Sequence, residues 1–197
     1  METADFLAAV HVAERLKDAT RHCYTSGGRR ESVAEHCWRT ALMALFLQGE
    51  FPEADMGKVV SMCLIHDLGE AFTGDIPAFE KTKEDELREE SALREWVNSL
   101  PEELSRRLEA LFREMAARES PEAKIYKALD GLEALISHNE SDIRTWLPLE
   151  YELNLTYADD KVLFSPYMRE LREALRRETL EKMRREGGRE AAAPGQD

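Results

Sequence analysis

The chain has 197 residues, enough for one globular domain whose core needs no disulfide support. Hydrophobic residues make up 43% and charged residues 34%, with a formal net charge of −13, so nucleic acid polymers would be repelled rather than bound. The N-terminus is acidic where a signal peptide is basic, and the longest apolar run, Ala41 to Leu47, is too short for a bilayer, which points to a soluble cytoplasmic protein without a membrane partner.

Leu, Ala, Glu and Arg outnumber β-branched residues, a bias towards helix, and no strand alternation is evident. Three cysteines, Cys23, Cys37 and Cys63, are odd in number and form no CxxC, as expected of reduced thiols. Ser32-Val33-Ala34-Glu35 is a capping box, and it predicts a helix from about Val33 to Gln48. A second, buried helix is expected from about Met56 to Leu68, with Val59, Val60, Cys63 and Leu64 inside. Gly69 and Gly74 break that pattern, and Thr73-Gly74-Asp75-Ile76-Pro77 reads as a loop.

Thr82 opens a helix running to about Asn98, and Pro101-Glu102 opens the next. Ser120-Pro121 and Ser165-Pro166 are further start signals, with proline in the first turn where its missing N–H costs nothing. Between Lys124 and Asn139, Ile125, Leu129, Leu132 and Ile136 form an apolar stripe, bordered by a polar stripe of Tyr126, Asp130, Glu133 and Ser137. The segment from Ile143 to Asp160 reads either as a broken helix or as a packed loop, and the last helix ends near Arg185. Residues 1–186 read as a single domain and 187–197 as a disordered polar tail.

Metal-ligating residue types cluster in this pattern. His66-Asp67 falls at the end of a buried helix, where two ionisable groups are costly without a partner. His36 lies in the first turn of the preceding helix, and two helices joined by a short connection run antiparallel, which brings that turn towards His66 and Asp67. Asp130 borders the core-facing stripe of a later helix. Two imidazoles and two carboxylates suit Mn, Co, Fe or Zn and leave coordination positions open, as a catalytic ion needs. Glu70, four residues after His66, shares its face if the helical turn continues, where a carboxylate can handle the proton of an attacking water.

The series Ser32-Val33-Ala34-Glu35-His36, His66-Asp67-Leu68-Gly69-Glu70, Thr73-Gly74-Asp75 and Lys127-Ala128-Leu129-Asp130 resembles the HD-domain phosphohydrolase superfamily, and within it the branch of 5′-deoxynucleotidases. The resemblance covers roughly Leu16 to Ile136. It implies an all-α fold, an HD-domain helical bundle with a single interior metal site, in which His36, His66, Asp67 and Asp130 hold one divalent metal. It also implies that Glu70 and Asp75 are catalytic, and it matches Arg21 to a phosphate-contacting arginine, with Arg29 a second candidate. An arginine fork suits a phosphate monoester.

The deoxynucleotidase pattern can place tryptophan next to that arginine, against the sugar, where this chain has His22. The implied substrate is a nucleoside 5′-monophosphate, chiefly a deoxyribonucleotide, and the implied assembly a homodimer. Other readings are a different phosphate ester (a nucleoside triphosphate or cyclic nucleotide) or a non-catalytic helical interaction protein working through Thr82 to Ala117. The run Ser137-His138-Asn139-Glu140, with Asp142 and Trp146, reads either as the lining of an altered pocket or as a solvated helix end, the latter favoured.

Overall fold

The computed structural model describes residues 1–186; the expected disordered tail at 187–197 lies outside the described residues. The fold is helical, with one small hairpin, and its chain forms two compact units. The first comprises Met1–His22 and Arg30–Leu129, the second Cys23–Arg29 and the described residues from Asp130 to Glu186.

The first unit begins with α1 (Thr3–Glu14), which the sequence does not announce; strand β1 (Thr20–Tyr24), whose last two residues fall in the second unit, pairs with β2 (Arg30–Ser32). The all-α expectation holds with this small hairpin added to it; at five and three residues the strands are too short to show alternation. Helix α2 (Val33–Phe46) starts on the expected capping box: Ser32 Oγ accepts from Glu35 N at 3.2 Å, and Ser32 N donates to Glu35 Oε2 at 2.9 Å. Helix α3 (Met56–Ile65) is capped by Asp55, whose carboxylate accepts from Lys58 N at 3.0 Å.

Val33 and Ala44 of α2 and Val59, Met62 and Cys63 of α3 are fully buried. Burial of each larger side chain contributes about 1.5–3 kcal/mol. Leu64, expected inside, is instead exposed, while Met62 takes the interior position. Helix α3 ends three residues earlier than anticipated. There the backbone tightens into i→i+3 bonds, Leu68 N to Ile65 O at 3.1 Å and Glu70 N to Asp67 O at 3.0 Å, before the single turn of α4 (Glu70–Thr73).

Helix α5 (Lys83–Ser99) starts on a Thr82–Asp85 capping box, α6 (Glu102–Ala117) follows Pro101, and α6 ends on Arg118 in the left-handed region at φ 54°. Helix α7 (Pro121–Glu140) follows, its N-terminus capped by Ser120 Oγ, which accepts from Ala123 N at 3.2 Å. Along α7 both stripes are turned inward: beside Leu129 and Leu132, Glu133 and Ser137 are buried, and Ser137 Oγ donates to Glu133 Oε1 at 3.2 Å.

In the second unit the ambiguous segment is a broken helix. A 3-10 turn (Ile143–Thr145), α8 (Glu150–Thr156) and another 3-10 turn (Asp160–Val162) lead to α9 (Pro166–Glu186). Two arginines of α9 take up carbonyls at the end of α8: Arg172 Nε donates to Tyr157 O at 2.8 Å and Arg176 Nε to Leu155 O at 2.9 Å. Asp159 balances both guanidinium groups, at 2.9 Å from Arg172 and 2.7 Å from Arg176. Gly131 packs where a Cβ would come within 2.9 Å of Ala158 Cβ, and Ala158 itself holds φ 64°.

The Ser137–Trp146 run divides: Glu140 and Asp142 are exposed, as a solvated helix end would have them, whereas Ser137 and Trp146 are buried. Trp146 is buried and donates through Nε1 to His138 O at 3.0 Å, while His138 Nε2 lies 3.4 Å from Cys23 Sγ and 3.4 Å from Glu150 Oε1. All three cysteines are free and buried. No described helix is long and apolar enough to cross a membrane.

Candidate metal centre and its surroundings

The Ser32 cap fixes the first turn of α2 and so the position of His36, which is completely buried. At the same end of the α2–α3 pair, the tight turn after Ile65 presents His66 and Asp67. The three meet: His36 Nε2 and His66 Nε2 are 3.1 Å apart, and Asp67 Oδ2 is 3.1 Å from His66 Nε2 and 3.6 Å from His36 Nε2. Three donors each about 2.1 Å from a common ion stand roughly 3.0–3.4 Å apart in octahedral or tetrahedral arrangements. The observed separations therefore fit one divalent metal among these three atoms.

The tautomer of His66 agrees with that fit. Its Nδ1 is 2.8 Å from Cys63 O, which can only accept, so Nδ1 carries the proton and Nε2 offers its lone pair to the trio. Cys37 Sγ, at 3.8 Å from the same Nδ1, stands behind the ring, and burial pushes its thiol pKa up. Tyr126 of α7 packs its ring 6.1 Å from that of His66.

Of the two acids predicted beside the trio, Glu70 is buried and Asp75 half-buried. Glu70 is 6% exposed, and its Oε2 is buried without a hydrogen-bond partner. Its pKa is pushed up to about 10, first by burial and then by the charges of Asp67, Asp75 and Glu89, with Lys81 opposing. Asp75 is raised as well, by burial, against the pull of Arg21. A dication held by the trio would lower both again.

Arg21, on β1, donates from Nη1 to Glu31 Oε2 at 2.8 Å, and Arg39 approaches the other oxygen of Glu31 at 3.6 Å. Beside it, His22 meets Phe79 edge to face at 5.7 Å. Thus His36, His66, Asp67, Glu70, Asp75, Arg21 and His22 all belong to the first unit. Arg29 lies in the exposed turn after β1, its carbonyl accepting from Thr25 N at 2.8 Å, and Asp130 is half-buried on α7. Sequence reasoning missed Glu31, Lys81, Phe79 and Glu89, none of which belongs to a motif. The one local hint was Gly69, whose lack of a Cβ has a reason in Glu89.

The HD domain profile matches residues 13–172. The 5′-deoxynucleotidase HDDC2 of Homo sapiens is 36% identical over 137 residues, covering 68% of this chain and 66% of that protein. The Bos taurus 5′-deoxynucleotidase HDDC2 is 34% identical over 137 residues, 68% of this chain and 65% of its own. The matched stretch thus spans just under two thirds of both relatives. The crystal structure of a "Predicted metal-dependent phosphohydrolase" from Magnetospirillum magnetotacticum MS-1 superposes with a TM-score of 0.74 at 31% identity, covering 92% of this chain and 95% of that one. On the extent of these matches, and with a histidine–aspartate trio at the expected motif positions, the chain belongs to the HD-domain family.

Proposed function

We propose that the protein is a metal-dependent phosphohydrolase that cleaves nucleoside 5′-monophosphates, chiefly deoxyribonucleotides, to nucleoside and inorganic phosphate. The observation that carries this reading is the convergence of His36 Nε2, His66 Nε2 and Asp67 Oδ2 within 3.6 Å of one another, with the buried Glu70 and the half-buried Asp75 acting on them electrostatically. The 5′-deoxynucleotidase activity of the human and bovine relatives supplies the substrate class.

In this reading His36, His66, Asp67 and, on the family resemblance, Asp130 hold one divalent metal, and the mixed nitrogen and oxygen donors suit Mn, Co, Fe or Zn. When bound, such an ion supplies Lewis-acid polarisation of the phosphate and of an attacking water. Arg21, oriented by Glu31, grips the phosphate and spreads the charge that grows on its oxygens, with Arg29 a second candidate for that work. Glu70 and Asp75 handle the protons: one leaves the water as it attacks phosphorus, and one is delivered to the departing 5′-oxygen.

The experiment is phosphate release from a mononucleotide panel with Mn or Co added, each ribonucleotide beside its deoxy counterpart, because His22 stands where tryptophan can sit. Cleavage of deoxynucleotides that vanishes in His66→Ala is expected; no cleavage by the wild type would sink the reading.

Each unit is assembled from separate stretches of chain, and α7 contributes to both, which supports residues 1–186 as a single HD domain. Limited proteolysis that released either unit as a stable fragment would overturn that. A cytoplasmic homodimer completes the proposal. On α9, Met168 and Leu175 are buried in their own unit and Leu180 is exposed. Trp38 at 61% exposure, with Leu45 and Phe46 on the outer side of α2, is the surface that supports self-association. Sedimentation of Trp38→Asp against wild type tests it, and equal masses for the two would remove this surface.

A further inference from the structure

Gly69 sits between Asp67 and Glu70 with an ordinary φ of −59°, so its backbone conformation does not call for glycine. The space around it does. A Cβ there would lie 2.6 Å from Glu89 Cγ and 3.0 Å from Glu89 Oε1, so the side chain of Glu89, from α5, occupies the place of a side chain on this turn. Glu89 in turn holds Lys81 Nζ at 2.6 Å through Oε2, and both side chains are largely covered. Lys81 comes from the loop that follows Asp75, and its charge acts on Asp67, Glu70 and Asp75.

Burial works against the charge on Lys81. The ion pair with Glu89 and the charges of Glu70 and Asp67 outweigh that and hold its pKa above the ordinary lysine value. An ammonium held by Glu89, which itself packs on Gly69 of the turn that presents His66 and Asp67, is placed to meet an incoming dianion.

We propose that Lys81 is a second phosphate-binding cation of this site, that Glu89 is its positioning residue, and that Gly69 is glycine so that Glu89 can reach it. This rests on the phosphohydrolase reading for its catalytic meaning, though not for its binding test. A phosphate dianion entering beside Lys81 exchanges one partner of the ammonium for another, and Glu89 keeps the flexible four-carbon stem from swinging into solvent. The arrangement selects a terminal phosphate monoester, with its two charges, over a singly charged diester.

The test uses the full chain loaded with Mn. It measures binding of inorganic phosphate by calorimetry, kcat and KM for a deoxynucleoside monophosphate, inhibition by the free nucleoside, and Tm. Lys81→Met and Glu89→Gln are each expected to weaken phosphate binding and raise KM about tenfold, the scale of one charge-assisted hydrogen bond. Nucleoside inhibition should stay unchanged. The double variant should be no worse than the weaker-binding single, and Lys81→Arg should recover most of the loss.

A change in phosphate affinity below about twofold in Lys81→Met, or additive losses in the double variant, overturns the proposal. So does a wild type that binds no phosphate. If phosphate binds in a Lys81-dependent way but no nucleotide is cleaved, Lys81 stands as a phosphate site and the nucleotidase reading falls. Equal loss of nucleoside and phosphate binding, with a lowered Tm, would mark a merely structural pair and overturn it as well.

Discussion

Two histidine clusters show how the same side chain is put to different ends. In the first unit the Nε2 atoms of His36 and His66 face each other at 3.1 Å with Asp67 alongside, while His66 Nδ1 is committed to Cys63 O. In the second unit a single ring nitrogen, His138 Nε2, lies between Cys23 Sγ and Glu150 Oε1, each at 3.4 Å, with the edge of Trp146 at 5.9 Å. The first arrangement aims lone pairs at a common point and suits a cation. The second gives one proton a choice of acceptors beneath an aromatic cover and suits packing. Being a buried histidine does not separate them; the direction in which the ring nitrogens are committed does.

The sharpest way to break that contrast is to remove a member of each cluster. Asp67→Ala is expected to abolish stoichiometric metal and to lower phosphate release by at least about 10³-fold, the scale of losing a catalytic centre. His138→Ala should retain the metal in elemental analysis. If His138→Ala loses metal and Asp67→Ala does not, the two roles are reversed.

Next in size, Glu70→Gln should keep the metal and lower kcat by about 10²–10⁴-fold, as for loss of a general acid–base group. A variant with normal kcat would leave Asp75 to carry the protons. For the second cluster the readout is stability. His138→Ala leaves the fully buried Glu150 without this imidazole and should cost about 1–3 kcal/mol in denaturant unfolding.

The pH dependence contrasts the two clusters again. Glu70 has an ordinary pKa of 4.5 unfolded and about 10 folded, so folding favours its protonated form. Its contribution to metal-free stability is full below about 4.5 and is lost as pH rises towards about 10. Unfolding of the metal-free wild type across that range should therefore show a declining stability that Glu70→Gln flattens, whereas His138→Ala should leave the slope in place. The smallest effect expected is in Ser32→Ala, about 1 kcal/mol for the lost cap. Because that cap sets the turn bearing His36, metal affinity should fall along with stability, which calorimetry would detect.

What was legible in the sequence was what depends on near neighbours. Ser32 and Glu35, three residues apart, announce the start of α2, and with it the place of His36. Ser120-Pro121 and Ser165-Pro166 do the same for α7 and α9. The β1–β2 hairpin escaped because its strands are shorter than a readable alternation, and α1 because none of its residues is buried to mark a face. The early end of α3 escaped because i→i+3 tightening leaves no distinct residue pattern. Along α7, Glu133 and Ser137 read as border positions and proved interior, since periodicity gives the direction of a face and not what covers it. Glu89 and Lys81 were invisible for a related reason: their meaning comes from a contact with Gly69 across twenty residues of chain.

The placement of the metal trio at helix ends has an evolutionary consequence. The first turn of α2 and the turn closing α3 are held by the most tightly filled part of the first unit. His22, Phe79, Asp75 and Lys81 ride instead on a short hairpin and on the loop before α5. Under the proposed function, selection can redraw the hairpin and this loop by insertion or substitution while the candidate metal centre stays as it is. A directed-evolution library confined to residues 20–30 and 75–82 is the economical place to look for new phosphate esters.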